Sequence, residues 1–118
     1  MNMKEFSART ALSAHTLRYY EKIGLLNHIH RSSNGHRFFT EKDLEWVTFI
    51  LRLKQTGMPL ESILAYAKLR ALGKSTNQER QTLLEQHRAK LKSRIESEIQ
   101  HLAALDEKIE YYILHKTS

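Results

Sequence analysis

Cysteine is absent from the 118 residues, and that absence closes several routes at once. Disulfide frameworks, thiolate metal sites, cysteine nucleophiles and cysteine redox sensors are all excluded. No apolar run approaches the roughly 18 residues that a membrane span needs. Behind Met1-Asn2-Met3-Lys4-Glu5-Phe6 there is no apolar signal region, so the expected location is the cytoplasm, with no membrane partner. Aspartate occurs only as Asp43 and Asp106, and both suit helical surfaces. There is no glycine-rich phosphate loop, no His-Glu-x-x-His pair and no nucleophile motif, so enzyme chemistry, cofactor and metal are not expected.

What the chain does have is basic charge, unevenly spread. The formal net charge is +6. Residues 1–40 hold six basic and two acidic side chains, residues 41–74 six and four, and residues 75–118 seven of each. A basic front half joined to a neutral rear suggests a polyanion-binding head attached to something else.

One proline and four glycines divide the rest cleanly. Residues 3–12 read as a short helix. Ser13 caps a second one, Ala14 to about Ile23, with Gly24 after its last turn. Two short helices across a turn of a few residues make a helix-turn-helix. Asn34-Gly35 then signals a hairpin, expected as a type I′ turn with positive φ at both residues, and gives a small two-stranded wing. Thr40 caps a third helix, with Leu44, Val47, Ile50, Leu51 and Leu53 as its apolar face, ended by Gly57. Pro59 opens a fourth with Leu60, Ile63, Leu64 and Ala67, ended near Gly73. Trp46 and Phe49 sit at helical spacing and read as core or interface packing.

From Asn77 to about Leu114 nothing interrupts helix. That is on the order of 55 Å, too long to fold back on so small a domain. With Ile95, Leu102 and Ile109 at heptad a positions, Leu84, Leu91, Leu105 and Tyr112 fall at d, while Arg88 intrudes at an a position and Glu98 at a d position. A helix with one narrow apolar stripe needs a partner, and homodimerisation is the economical answer. The expected domains are a head of residues 1–74 and a dimerisation helix of residues 75–118.

Thr16-Leu17-Arg18-Tyr19-Tyr20-Glu21 carries most of the information. Hydroxyls and a guanidinium at one helix end suit phosphate oxygens and base edges in a major groove. Adjacent helical positions point about 100° apart, so at most one of Tyr19 and Tyr20 can be fully buried. Both are assigned to DNA contact, Tyr20 ahead of Tyr19. The wing adds Arg31, Asn34 and Arg37.

Ser13-Ala14-His15-Thr16-Leu17-Arg18-Tyr19-Tyr20-Glu21, then Gly24-Leu25-Leu26, Asn34-Gly35-His36-Arg37, Thr40-Glu41-Lys42-Asp43-Leu44 and Gly57-Met58-Pro59-Leu60-Glu61-Ser62-Ile63 resemble the MerR family of bacterial transcription regulators. The resemblance covers about residues 3–72 closely, and the long last helix matches in kind. It implies a mainly α fold: a winged helix-turn-helix head, then a long dimerisation helix forming an antiparallel coiled coil. It also implies a homodimer that binds a pseudo-palindromic double-stranded operator and distorts it for RNA polymerase at the promoter. Thr16, Arg18, Tyr19 and Tyr20 would belong to its recognition helix, and Arg31, Asn34 and Arg37 to its wing.

The chain departs from the family at several points. Ala11 stands where the first turn usually has glycine, and His28 replaces a usual proline. His30 replaces a usual arginine. His36 and Phe39 stand where tyrosines are common, so two phosphate-binding hydroxyls are expected to be missing. Short members resembling this one sense aldehydes or electrophiles, and others bind metals, through cysteines this chain lacks. The effector is therefore unidentified; Tyr66, Leu69, Arg70 and Leu72 are its candidate contacts, though dimer packing is the commoner use of such residues. His87, His101 and His115 recur at g positions, usually solvated flanks, and are given no metal. The alternative to a regulator is an excisionase-like or architectural DNA-binding protein, which the long helix disfavours because a fixed dimer spacing suits a palindromic site.

Overall fold

The computed structural model describes residues 1–116. Seven regular elements follow in order: α1 (Met3–Thr10), α2 (Ala14–Ile23), β1 (His30–Arg31), β2 (Arg37–Phe38), α3 (Glu41–Gln55), α4 (Leu60–Ala71) and α5 (Asn77–His115), with a 3-10 turn at Lys74–Thr76. The chain divides into two compact units, Met1–Leu83 and a second beginning at Leu84.

Local chemistry sets the element ends. The Ser13 side chain accepts from the Thr16 backbone N–H at 3.1 Å, satisfying one of the orphan donors of α2. Thr40 and Asp43 form a reciprocal capping box at the start of α3. Gly24, after α2, has φ +93°, which lets Leu25 and Leu26 N–H bond back to the Tyr20 carbonyl. Pro59 occupies the N-cap of α4 rather than its first helical position.

Two side chains tolerate a left-handed backbone where glycine would be easier. Ala11 (φ +59°) makes the turn between α1 and α2, braced by the Ser7 hydroxyl donating to the Leu12 carbonyl. His28 has φ +58°, a value closed to proline, so this entry to the wing differs from one built on the usual proline. Left-handed backbone costs a non-glycine residue about 1–2 kcal/mol. Glycine's extra chain entropy returns about 0.5–1 of that. Ala11→Gly should therefore stabilise the head by roughly 0.5–1 kcal/mol, read as a melting temperature a few degrees higher.

The wing strands pair antiparallel, His30 with Phe38 and Arg31 with Arg37. Their connection is not the expected type I′ turn. Of the Asn-Gly pair only Gly35 has positive φ (+84°). Gly35 N–H bonds to the Ser32 carbonyl at 2.9 Å and Ser32 N–H to the His36 carbonyl at 2.7 Å, the pattern of a three-residue loop closed by a glycine bulge. Asn34 keeps negative φ because its side-chain oxygen accepts from Ser32 Oγ and from the His36 N–H, an Asx-type turn.

The core of the head gathers Phe6 of α1, Leu17 and Tyr20 of α2, Leu25, Leu26, Phe39, and Trp46, Val47, Ile50 and Leu53 of α3, with Ile63, Tyr66 and Ala67 of α4. Phe6 and Phe39 stack with centroids 4.1 Å apart. Phe39 is thus a wall of the core, and a hydroxyl there would not meet DNA, contrary to the expectation for that position. Leu60, expected on the buried face of α4, is exposed, and Tyr66 is buried instead. Trp46 Nε1–H donates to the Leu25 carbonyl at 2.7 Å, its ring lies 5.8 Å from that of Tyr66, and Arg70 sits 4.2 Å above it. Burial pushes Arg70 below the ordinary guanidinium value and Arg80 adds to this, while Asp43 and Tyr66 oppose it. Arg70 is engaged inside the head, which argues for packing over effector contact.

α5 begins within the head, where Arg80 donates to the Gly73 carbonyl and the Thr76 hydroxyl. Beyond Leu91 its large apolar side chains Ile95, Ile99, Leu102, Leu105, Ile109, Tyr112 and Ile113 are all exposed. No helix among the described residues is long and apolar enough to cross a membrane.

Candidate nucleic-acid interface

The helix-turn-helix and the wing frame a groove of about 300 Å³ whose wall carries Lys4, Arg18, Arg31, His36 and Arg37, with Asn2 at the start of α1. Four of these side chains are permanently cationic at neutral pH, so the groove has a strong preference for anions. Spacing did not reveal Lys4 as a member, because its approach to the wing is a tertiary event.

The expected recognition-helix residues divide in two. Arg18 is exposed and lines the groove. Thr16 is half-buried, its hydroxyl accepting from Ser13 Oγ at 3.0 Å, which orients it at the helix start. Tyr19 is 48% exposed, whereas Tyr20 is 4% exposed. The assumed order of the two tyrosines is thereby reversed on geometric grounds. The Tyr20 ring packs in the core and its hydroxyl accepts from Lys54 Nζ of α3 at 2.9 Å, so it braces α2 against α3 and holds a cation. Tyr19 presents the accessible ring.

The wing residues also separate. Asn34 is exposed, with its side-chain oxygen engaged in the turn. Arg31 donates to the Gly35 carbonyl at 3.0 Å and lies 3.8 Å from Glu21 Oε1. Arg37 donates to the same carboxylate oxygen at 2.7 Å. Both guanidiniums are therefore partly neutralised, and Glu21 joins the site as a residue that the sequence pattern alone did not single out.

Along α5 the expected seam residues Leu84 and Leu91 are half-buried, and Ile95, Leu102, Leu105, Ile109 and Tyr112 are exposed. Ile99 and Ile113, which the expected register puts at e positions, are exposed as well. Among the described residues no group of three or more His, Cys, Asp or Glu side chains comes together to hold a metal.

Comparison with known proteins accords with this geometry. The family description "MerR HTH family regulatory protein" matches residues 1–69, and "MerR, DNA binding" matches residues 44–109. An uncharacterised HTH-type transcriptional regulator of Haemophilus influenzae is 38% identical over 104 residues, 88% of this chain and 77% of that one. A crystal structure assigned to the MerR family from Listeria monocytogenes superposes with TM-score 0.90 at 39% identity, covering 98% of this chain and 87% of the other. HiNmlR, a MerR family regulator lacking the sensor domain and crystallised bound to promoter DNA, gives TM-score 0.85 at 34% identity over 98% of this chain and 92% of its own. Neither family description nor these relatives are enzymatic. The chain belongs to the MerR family of DNA-binding helix-turn-helix transcription regulators.

Proposed function

We propose that the protein works in the cytoplasm as a homodimer on a pseudo-palindromic promoter operator, and regulates transcription by distorting that DNA for RNA polymerase. The observation that carries this reading is the cationic groove between α2 and the wing, with Arg18 exposed on its wall. In each protomer Arg18, Tyr19 and Thr16 would address the major groove, and Arg31 and the Asn34 turn the adjacent backbone. HiNmlR, which lacks a sensor domain and binds promoter DNA, supports the same mode for this chain.

The exposed stripe of α5 supplies the dimer seam, and its charges favour an antiparallel arrangement. Residues 88–94 carry Arg88, Lys90, Lys92 and Arg94 with no acidic side chain, and residues 106–110 carry Asp106, Glu107 and Glu110 against Lys108. A basic and an acidic stretch thus lie on either side of the helix middle, with Glu96 and Glu98 between them. Antiparallel pairing sets basic beside acidic; parallel pairing sets like beside like. Two heads held at one separation read two half-sites, which the excisionase-like alternative does not require.

Genomic footprinting with purified protein tests the reading. A two-fold site lying within a promoter, with enhanced cleavage at its centre on binding, is the expected outcome. Scattered protection without two-fold symmetry would return the protein to the architectural class.

A further inference from the structure

A two-residue ladder is a weak device for holding a wing in one place. Between Leu26 and Phe39 no side chain is buried among the described residues, so packing fixes the ends of this segment and leaves its middle to polar ties. Glu21 of α2 supplies such a tie. Its Oε1 lies 2.7 Å from Arg37 Nε on β2 and 3.8 Å from Arg31 on β1, one carboxylate holding a guanidinium from each strand. Glu21 and Arg37 side chains are only 25% exposed, so this pair is less screened than an ordinary surface ion pair. Both arginines also face the groove that Arg18 lines.

We infer that Glu21 is a positioning residue, which fixes the wing against the recognition helix through Arg37 and Arg31 and so sets the discrimination between operator and unrelated DNA. The inference rests on the DNA-reading surface proposed above. Two guanidiniums and one carboxylate leave a net charge of +1, whereas the arginines alone would carry +2 and repel each other. With Glu21 in place their nitrogens are spent on one geometry, which suits one backbone path. Without it the wing arginines search independently and satisfy any phosphate within reach. Affinity for DNA in general then rises while selectivity falls, because phosphate contacts position and do not specify.

The test uses the full chain and two duplexes: the one wild-type protein enriches most strongly from a random library, and its scrambled version. Glu21→Gln should lower the operator-to-scrambled affinity ratio by about tenfold. The same change should tighten binding to the scrambled duplex and steepen its salt dependence by about one unit of log–log slope per newly freed arginine. Glu21→Asp, which keeps the charge, should recover most of the ratio. A purely structural role would instead lower the melting temperature and weaken both duplexes by the same factor, and that result overturns the inference, as does an unchanged ratio. Wild-type protein binding both duplexes alike would sink the operator reading itself, and with it this one.

Discussion

Leu102→Lys should dissociate the protein into monomers and remove its affinity for a two-fold operator. Leu102 stands at the middle of the α5 stripe and is 59% exposed in the single chain, so its side chain is available to a second copy. Burying a leucine stabilises by about 1.5–3 kcal/mol, and a two-fold interface contains it twice. Losing that term, and placing two ammonium groups in the seam, should weaken self-association by at least about a hundredfold. Sedimentation across a concentration series reads the change directly, and circular dichroism shows whether α5 persists. A fully dimeric Leu102→Lys protein would place the interface elsewhere.

Glu98→Leu is the complementary experiment, with the opposite sign. Glu98 interrupts the stripe at a d position between Ile95 and Leu102. Exchanging a carboxylate in the seam for a well-packed leucine should tighten the dimer about tenfold or more. If it loosens instead, the seam runs over the e positions, through Ile99 and Ile113, and the heptad register shifts toward them.

The contrast between these two kinds of residue shows what a sequence makes legible. Ser13 and Thr40 act within three residues of themselves, and their caps were readable because local hydrogen bonding needs nothing distant, although the return bond from Thr40 N–H to Asp43 was seen only in the structure. The basic head, the wing and the uninterrupted last helix were readable for the same reason, and their collinear motifs carried the family. The sequence ranks Tyr20 ahead of Tyr19 for DNA contact, and burial reverses that order. Which of two neighbouring rings is buried depends on where α3 lies, and the decisive contact is to Lys54, 34 residues away. Arg37 looked like a free phosphate ligand until the fold brought Glu21, 16 residues earlier, against its guanidinium. The Asn-Gly turn failed differently: its dipeptide fits both a two-residue and a three-residue loop, and the Asn34 side chain decides between them.

Arg18→Ala should cost operator affinity about a hundredfold while leaving the fold intact. Arg18 is exposed, on the same helix whose opposite face buries Leu17 and Tyr20, so its removal opens no cavity. One charged contact to DNA is worth about 1–3 kcal/mol, and a dimer on a two-fold site loses two of them. Salt dependence then says what Arg18 touches. A phosphate ligand lost from each protomer should flatten the log–log slope by about two, with all sequences weakened alike. A base-edge ligand should leave most of the slope, and relax preference at one position in each half-site. Tyr20→Phe makes the informative comparison. It keeps the buried ring and removes only the hydroxyl that accepts from Lys54, so it should lower stability by about 1 kcal/mol and affect DNA only by freeing that lysine. Tyr19→Ala, at the exposed ring, should weaken the operator more than Tyr20→Phe does. The reverse order would mean that the Tyr20 hydroxyl leaves Lys54 for DNA, and that α2 moves relative to α3 when the operator is bound.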